Sequence, residues 1–419
     1  MVKGHKNCRV CDGKLNAILD LGSMYPSTFV GNPGKSVPYK APLCLCVCEK
    51  CGLVQLRDTV DLDIMYREYW YESGLNASMV ADLKNVVEDI EDFINLRVGD
   101  VVVDIGCNDG TMLDLYSMKD DLVTVGYDPA LNLATKAEGK MDHFFNDYFI
   151  SSYYNEIFGQ KAKVVTSIAM FYDLEDPNSF VENVKEILHP EGIWVIQFTD
   201  LLSMLKQNAF DNICHEHLEY YSFEVLVNLM NSHGLEVVDV SYNKVNGGSI
   251  RVFVAFPGVF DSAIQIGVAI HYEKVYMNSF TDPFRSFSRR VTDLTSIILG
   301  YLYSSKLDSC TVYGMGASTK GNTFLQYINA NSTLISKIAE VHPDKVGLKT
   351  VGTGIPIISD TQALEEMPDI FLVLPWHFID FFVHKYEPYL QKGGRMIVAM
   401  PEPRVYSWED GKLCCQKIV

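Results

Sequence analysis

The sequence predicts an α/β protein: two parallel-sheet units of nucleotide-binding type, with a small cysteine-rich module in front. Three observations carry that expectation. Residues 101–113 read Val-Val-Val-Asp-Ile-Gly-Cys-Asn-Asp-Gly-Thr-Met-Leu, a β-branched run ending in a glycine turn. Residues 310–322, Cys-Thr-Val-Tyr-Gly-Met-Gly-Ala-Ser-Thr-Lys-Gly-Asn, repeat the theme. Ahead of both, Cys8-x-x-Cys11 and Cys48-x-x-Cys51 stand as two pairs at metal-knuckle spacing.

The cysteine pairs come first. Four thiolates so spaced can surround zinc as a tetrahedron, and such a site is closed to a catalytic water. Gly13 and Gly52 follow the knuckles closely, as tight ligand turns prefer. Cys44 and Cys46 lie on an alternating strand leading into the second pair. Cys8, Cys11, Cys48 and Cys51 are therefore expected to bind one structural zinc; the competing reading is reduced cysteines without metal. The segment Tyr66-Arg67-Glu68-Tyr69-Trp70-Tyr71-Glu72-Ser73-Gly74 is dense in aromatics with hydrogen-bonding tips. Such a stretch can line a pocket for a polar ring-shaped ligand, or pack as a linker. Met79, Leu83, Val86, Val87, Ile90, Phe93 and Ile94 then recur at helical spacing, the core face of a helix on a sheet.

The strand at 101–105 ends in Asp104-Ile105-Gly106, and Gly110 opens a helical pattern. The spacing Asp-x-Gly-x-x-x-Gly departs from the Gly-x-Gly-x-x-Gly dinucleotide fingerprint. It suits a ligand without a pyrophosphate, such as S-adenosylmethionine. Gly106 lets the backbone approach the methionine part, while Asp104, Asn108 and Asp109 can meet its ammonium group. The second strand, 123–127, ends in Asp128, an acid placed to take both ribose hydroxyls. After Phe144-Phe145, an apolar pair that could sandwich adenine, Asn146 and Asp147 can read its amine. Tyr71 and Ser73 are assigned to the same cofactor. Val164–Ala169 and Ile193–Phe198 make the fourth and fifth strands, and a helix over 221–233 follows. Leu235–Tyr242 and Ile250–Phe256 flank Asn246-Gly247-Gly248-Ser249, an antiparallel hairpin signal. A parallel sheet finished by an antiparallel hairpin is the class I methyltransferase pattern.

Residues 260–305 read as a helical connector. Beyond them, strands at 310–315, 338–341, 370–374 and 395–399 make a second Rossmann-like unit. Ser318, Thr319 and Lys320 at its first helix start offer a phosphate cradle; a structural lobe without ligand is the alternative. The expected division is 1–75 zinc-binding module and aromatic linker, 76–258 methyltransferase domain, 259–305 connector, and 306–419 C-terminal Rossmann-like substrate-nucleotide domain.

The densest chemistry outside the cofactor turn is Asp211-Asn212-Ile213-Cys214-His215-Glu216-His217-Leu218-Glu219-Tyr220-Tyr221-Ser222, after the fifth strand, where substrates sit in such sheets. Methylation at carbon needs a base, because a carbon nucleophile must first lose a proton. A histidine held by Glu216 supplies one near neutral pH. His217, His215, Glu216 and Tyr220 are the catalytic candidates; a His-Glu-His metal site and a purely structural role are the alternatives.

Composition sets the outer bounds. The 419 residues carry 35 Lys and Arg against 53 Asp and Glu, a net charge of −18, and 48% are apolar. That sign of charge argues against nucleic acid or an anionic membrane as partner. The polar start, Met-Val-Lys-Gly-His-Lys, and the absence of any apolar run of about 18 residues give a cytoplasmic expectation, as monomer or homodimer.

Taken together, these stretches make the sequence resemble the nucleotide-sugar C-methyltransferases of deoxysugar biosynthesis over nearly the whole chain. The matching stretches are the two knuckles with Asp20-Leu21-Gly22 and Cys51-Gly52-Leu53-Val54-Gln55-Leu56; Tyr69-x-Tyr71-x-Ser73; the turn at 104–110; His215-Glu216-His217 with Tyr220-Tyr221-Ser222; Gly247-Gly248-Ser249-x-Arg251; and Gly316-Ala317-Ser318-Thr319-Lys320-Gly321-Asn322-Thr323. The resemblance implies a zinc-binding N-terminal module, a central S-adenosylmethionine domain, and a C-terminal domain that helps hold the nucleotide of a keto-sugar. It also implies that His217 is the base, with Glu216 beside it. The chain departs from the family at two places. Cys214 stands where members resembling it carry tyrosine, and Met170-Phe171-Tyr172 where they carry a histidine. A thiol donates more weakly than a phenol, so the substrate or the methylated position can differ; Tyr172 or Tyr220 could supply a hydroxyl. O- or N-methylation of a related sugar is the alternative reading. An NAD-dependent sugar oxidoreductase using Gly314-x-Gly316 is a third, disfavoured by the glycine spacing.

Overall fold

The structure, a computed structural model, describes residues 2–31 and 39–419. It divides into two compact units, each assembled from several stretches of chain. The first holds Met1–Asn16, Cys46–Leu202 and Glu216–Ser279; the second holds Ala17–Leu45, Ser203–His215 and Phe280–Val419. The division by chain order expected from the sequence, at 75, 258 and 305, is a different partition. It assigns residues 17–31, 39–45 and 203–215 to modules other than the C-terminal one with which they pack.

The first unit is built on seven strands: β1 Val101–Ile105, β2 Val123–Tyr127, β3 His143–Phe145, β4 Ala162–Ile168, β5 Leu188–Thr199, β6 Glu236–Asn243 and β7 Ser249–Ala255. Their order is β6-β7-β5-β4-β1-β2-β3. β1 to β5 run parallel, with Val101 opposite Val123 and Val164 opposite Ile193. β7 runs antiparallel to both β5 and β6, so the expected hairpin is present. Its turn holds Asn246, Gly247 and Gly248 at positive φ of 53°, 88° and 116°, which is why the sequence there reads Asn-Gly-Gly. Both faces of the sheet are covered, and the pleat sorts the side chains. Val101, Val103 and Ile105 enter one core with Trp194 and Leu226; Val102 enters the other with Leu83, Val86 and Ile90. Those last three lie on the helix Ala77–Phe93, on the predicted apolar face, and Asn76 caps it by accepting from the Ser78 N–H.

One element differs from expectation. After Gly110 the chain forms two short 3₁₀ turns, Leu113–Leu115 and Lys119–Asp121, not an α-helix. Asp109 Oδ1 accepts from both the Thr111 N–H, at 3.2 Å, and its hydroxyl, at 2.7 Å. That local turn competes with helical bonding, and Tyr116 is already extended.

The second unit carries another seven-stranded sheet: β8 Val312–Met315, β9 Lys337–Glu340, β10 Ile357–Ser359, β11 Ile370–Val373, β12 Arg395–Val398, β13 Arg404–Glu409 and β14 Lys412–Lys417. The order is β10-β9-β8-β11-β12-β13-β14. The Rossmann-like core is as expected, but the closing antiparallel hairpin β13–β14 was not foreseen. Its signal lay in Asp410-Gly411, both at positive φ, between alternating residues. Ser318 caps the helix Thr319–Tyr327, its hydroxyl accepting from the Gly321 N–H at 2.9 Å. The connector is helical as expected, Gln265–Asn278 and Pro283–Leu307. No described helix is long and apolar enough to cross a membrane.

Candidate active site and metal centre

The cysteine pairs converge. The sulfurs of Cys8, Cys11, Cys48 and Cys51 all lie within 4.8 Å of one another, as ligands of one tetrahedral ion would. Each pair is a tight turn whose backbone aims N–H groups at sulfur: Val10 N–H at Cys8 and Lys50 N–H at Cys48, both 3.4 Å away. The Gln55 side-chain amide donates to Cys8 Sγ at 3.1 Å. Donors of this kind stabilise thiolate and hold each ligand's orientation. The Cys8 thiol is pushed down, chiefly by its hydrogen bond with the Cys51 thiol beside it.

At the end of β1, Gly106 has φ +79°, and a Cβ there would sit 2.9 Å from Met170 Cγ. The backbone thus passes close to the turn after the neighbouring strand β4, leaving a cradle that a side chain would fill. Asp104 is wholly buried, accepts from the Thr166 hydroxyl at 2.7 Å, and is pushed up to about 7 by burial, with the Asp128 charge adding. Asp128, at the end of β2, accepts from the Asn108 and Ala130 N–H groups at 2.8 and 2.9 Å. These bonds fix both carboxylate oxygens, each keeping a lone pair for a hydroxyl. Burial raises Asp128 to about 6 against the pull of those N–H groups.

The aromatic segment straps this turn. Asn108, at φ 54°, accepts from the Ser73 N–H at 2.9 Å and donates to the Tyr71 carbonyl at 3.1 Å. Asp109 accepts from the Gly74 N–H at 3.0 Å. Tyr71 and Ser73 are thereby brought to the turn with Asp104, Gly106, Asn108, Asp109 and Asp128. Asn146 reaches the same strand ends, but its amide nitrogen is spent on the Asp128 and Ala130 carbonyls, at 2.8 and 3.1 Å. Asp147 is exposed and paired with Arg67 at 3.0 Å. Phe145 stacks on Tyr127 with ring centroids 4.7 Å apart, so one ring of the apolar pair already has a partner.

A second group of candidate residues lies after β4 and β5. Ala169, just past β4, has φ 55°, a left-handed conformation that costs an alanine about 1–2 kcal/mol. The turn brings Tyr172 against His217, ring centroids 4.5 Å apart and edge to face. The Tyr172 carbonyl accepts from both Leu218 and Glu219 N–H, at 2.8 and 2.9 Å. The Tyr66 hydroxyl donates to the Glu216 carbonyl at 2.7 Å. Glu216 and Tyr220 are buried and His217 half-buried. Sequence reasoning missed Asp173. Its half-buried carboxyl is pushed well above the usual carboxylate range, by desolvation first and then by the Glu216 and Glu219 charges. The signal available was an acid just past the fourth strand, at the sheet edge where ligands sit.

The unit boundary falls between His215 and Glu216. In the second unit, His215 is buried with Nε2 3.1 Å from the Ala41 carbonyl, and Cys214 is buried too. Asp211 accepts from the Trp376 indole N–H at 3.0 Å. His377 is held down to about 3, by burial and then by Lys320. Trp376 and His377 follow β11, and Ser318 and Lys320 follow β8; these neighbouring strands form the switch point of the second sheet.

Comparison with known proteins fits three family models along the chain. Residues 8–66 match a zinc binding domain, 80–240 a methyltransferase domain, and 244–401 a C-methyltransferase C-terminal domain. The chain is 32% identical over 373 residues to the C-methyltransferase NovU of Streptomyces niveus, covering 88% of each protein. Among solved structures it is similar to the magnesium protoporphyrin IX methyltransferase of Synechocystis PCC 6803 with bound SAH. That match has 14% identity and a TM-score of 0.34, over 43% of this chain and 88% of that one. It is also similar to an S-adenosylmethionine-dependent methyltransferase of Clostridium acetobutylicum ATCC 824. There the identity is 15% and the TM-score 0.35, over 44% and 93%.

Proposed function

The chain belongs to the S-adenosylmethionine-dependent C-methyltransferase family with an N-terminal zinc module, and on that premise we propose that it methylates a carbon next to a ketone in a nucleotide-linked deoxysugar. The cofactors are S-adenosylmethionine and a structural zinc. The observation that supports the acceptor reading most is the half-buried His217 edge-on to Tyr172, on a backbone segment tied at both ends.

The bound cofactor supplies an electrophilic methyl group on a sulfonium. Everything else falls to the chain. Asp128 takes the ribose hydroxyls, Gly106 admits the methionine part, and Asn108, Asp109, Tyr71 and Ser73 close over it. Asn146 and Asp147 stand at the adenine end. His217 removes the proton α to the ketone, and the negative charge delocalises onto the ketone oxygen as an enolate. Glu216 fixes or tunes that histidine. Tyr220 and His215 complete the acid–base set. The C-terminal unit holds the nucleotide through Ser318–Asn322 or the Pro375-Trp376-His377 segment.

Two experiments test this. The first incubates the enzyme and methyl donor with a panel of 4-keto nucleotide-sugars, reading products by mass and NMR. The proposal expects a new C–CH₃ group on at least one; methylation only at oxygen or nitrogen contradicts it. The second measures deuterium uptake from solvent at the acidic carbon without the methyl donor. His217→Asn should keep donor and sugar affinity and lose roughly 10²–10⁴ of the exchange rate. Equal exchange by both proteins places the base elsewhere, with Tyr220, Tyr221 or His215 next.

A further inference from the structure

The strand Val54–Leu56 carries Gln55, the fully buried donor to Cys8, in the stretch after the second knuckle. Its side chain makes bonds in two directions. The amide nitrogen donates to the metal ligand Cys8 at 3.1 Å. The amide oxygen accepts from Arg9, at the backbone N–H (3.1 Å) and at the guanidinium (3.2 Å). Arg9 sits inside the first knuckle and is itself nearly inaccessible. Its guanidinium donates to the Leu56 carbonyl at 2.6 Å and the Thr59 hydroxyl at 2.7 Å, and lies 3.6 Å from both Glu175 and Glu219.

The other edge of the same strand faces the acceptor segment. Gln55 pairs with Glu219 and Val54 with Tyr220, antiparallel. The Leu56 N–H donates to the Leu218 carbonyl at 2.8 Å. Leu218 and Glu219 are the residues whose N–H groups fasten to the Tyr172 carbonyl, and Tyr172 is the ring against His217. A continuous set of bonds therefore runs from a thiolate ligand through Gln55 and Arg9 to the two residues after His217. With no metal holding Cys8, the Gln55 amide has a mobile partner, and the backbone bonds it braces open more often.

We propose that Gln55, with Arg9, is a positioning residue that couples the zinc centre to the His217 segment, so that the metal orders the methyl-acceptor side of the site as well as its own module. The proposal rests on the reading of His217 as the base only for its effect on turnover; its effect on the segment's order does not.

The experiment uses the full-length zinc-loaded protein. Amide hydrogen exchange is followed by mass spectrometry in peptides covering 216–221 and 101–127, before and after zinc removal by a chelator, and in Gln55→Met. In Gln55→Met the four thiolates remain, so the protein should still load one zinc at saturating metal, with affinity lowered about 10–100-fold by loss of the donor to Cys8, while S-adenosylmethionine affinity stays at the wild-type level. The 216–221 amides should exchange at least tenfold faster in both the variant and the zinc-free protein, while 101–127 stays protected. Deuterium uptake at the acidic carbon of a keto-sugar substrate should fall at least tenfold in the variant, with KM little changed. Wild-type protection at 216–221 after zinc removal overturns the coupling. So does loss of protection throughout 101–127, which would mean general unfolding. If 216–221 loosens in the variant but deuterium uptake persists, positioning is overturned. If Gln55→Met does not fold, the chelation arm on the wild type decides. A failure of the base assignment is separately visible, since His217→Asn would then exchange substrate deuterium at the wild-type rate.

Discussion

Asp128 shows how far one residue's surroundings set its chemistry. Burial raises its carboxyl to about 6, so below that pH the neutral form is favoured, and the carboxylate proposed to take two ribose hydroxyls prevails above it. Cofactor binding to the charged form must therefore weaken as pH falls through 6 and be level well above it. Calorimetric titration of S-adenosylmethionine across that range checks the sign. Asp128→Asn should flatten the profile and weaken binding by roughly 1.5–3 kcal/mol, the loss expected for hydrogen bonds to a charged group. Unchanged affinity would remove Asp128 from the site.

The elements that carry chemistry are turns rather than helices. The loop after β1 uses Asp109 for a local turn and Asn108 for the strap, leaving no regular helix to supply N–H groups. The cradle then depends on the approach of Gly106 to Met170. Gly106→Ala adds a Cβ at positive φ, a cost of about 1–2 kcal/mol before the clash is counted. The variant should melt earlier and bind S-adenosylmethionine at least tenfold more weakly; wild-type affinity would show that the cofactor avoids this turn. The knuckles are the second such element. Metal analysis should find about one zinc per chain, by the four-ligand rule, and Cys48→Ser should lose it and destabilise the module. A fully active zinc-free enzyme would contradict this.

At the scale of the whole molecule, the second unit draws on three distant stretches of chain. Phe29-Val30 pairs with Lys349-Thr350, and Gln326 exchanges hydrogen bonds with Tyr25. Phe210 packs on Phe324 and Tyr327, and Asp211 takes the Trp376 indole N–H. Removing residues 306–419 strips all these partners at once and leaves apolar surface and a buried carboxylate exposed. Such a truncation should aggregate or be rapidly proteolysed within 17–45 and 203–215, by limited digestion and mass spectrometry. A soluble, protease-resistant fragment would mean the last unit is dispensable for folding.

The sequence by itself determined the elements whose signals are local. β-branched runs, glycine turns, the Cys-x-x-Cys pairs, the apolar stripe of Ala77–Phe93 and the Asn-Gly-Gly hairpin each rest on periodicity or backbone sterics within a few residues. That sufficed for the first sheet, for the parallel core of the second and for the glycine turn after β1, and the resemblance of the linked stretches supplied the family. It did not suffice for the loop after Gly110, where a side-chain turn outcompetes helical bonding. Nor did it show Asp173 beside Glu216, Gln55 between a metal ligand and the His217 segment, or residues 17–31 and 39–45 folding with the end of the chain. Those depend on groups far apart in sequence meeting in a low-dielectric interior, where burial decides which carboxyls stay neutral and pairing decides which segments are held. Only the tertiary structure brings such groups together.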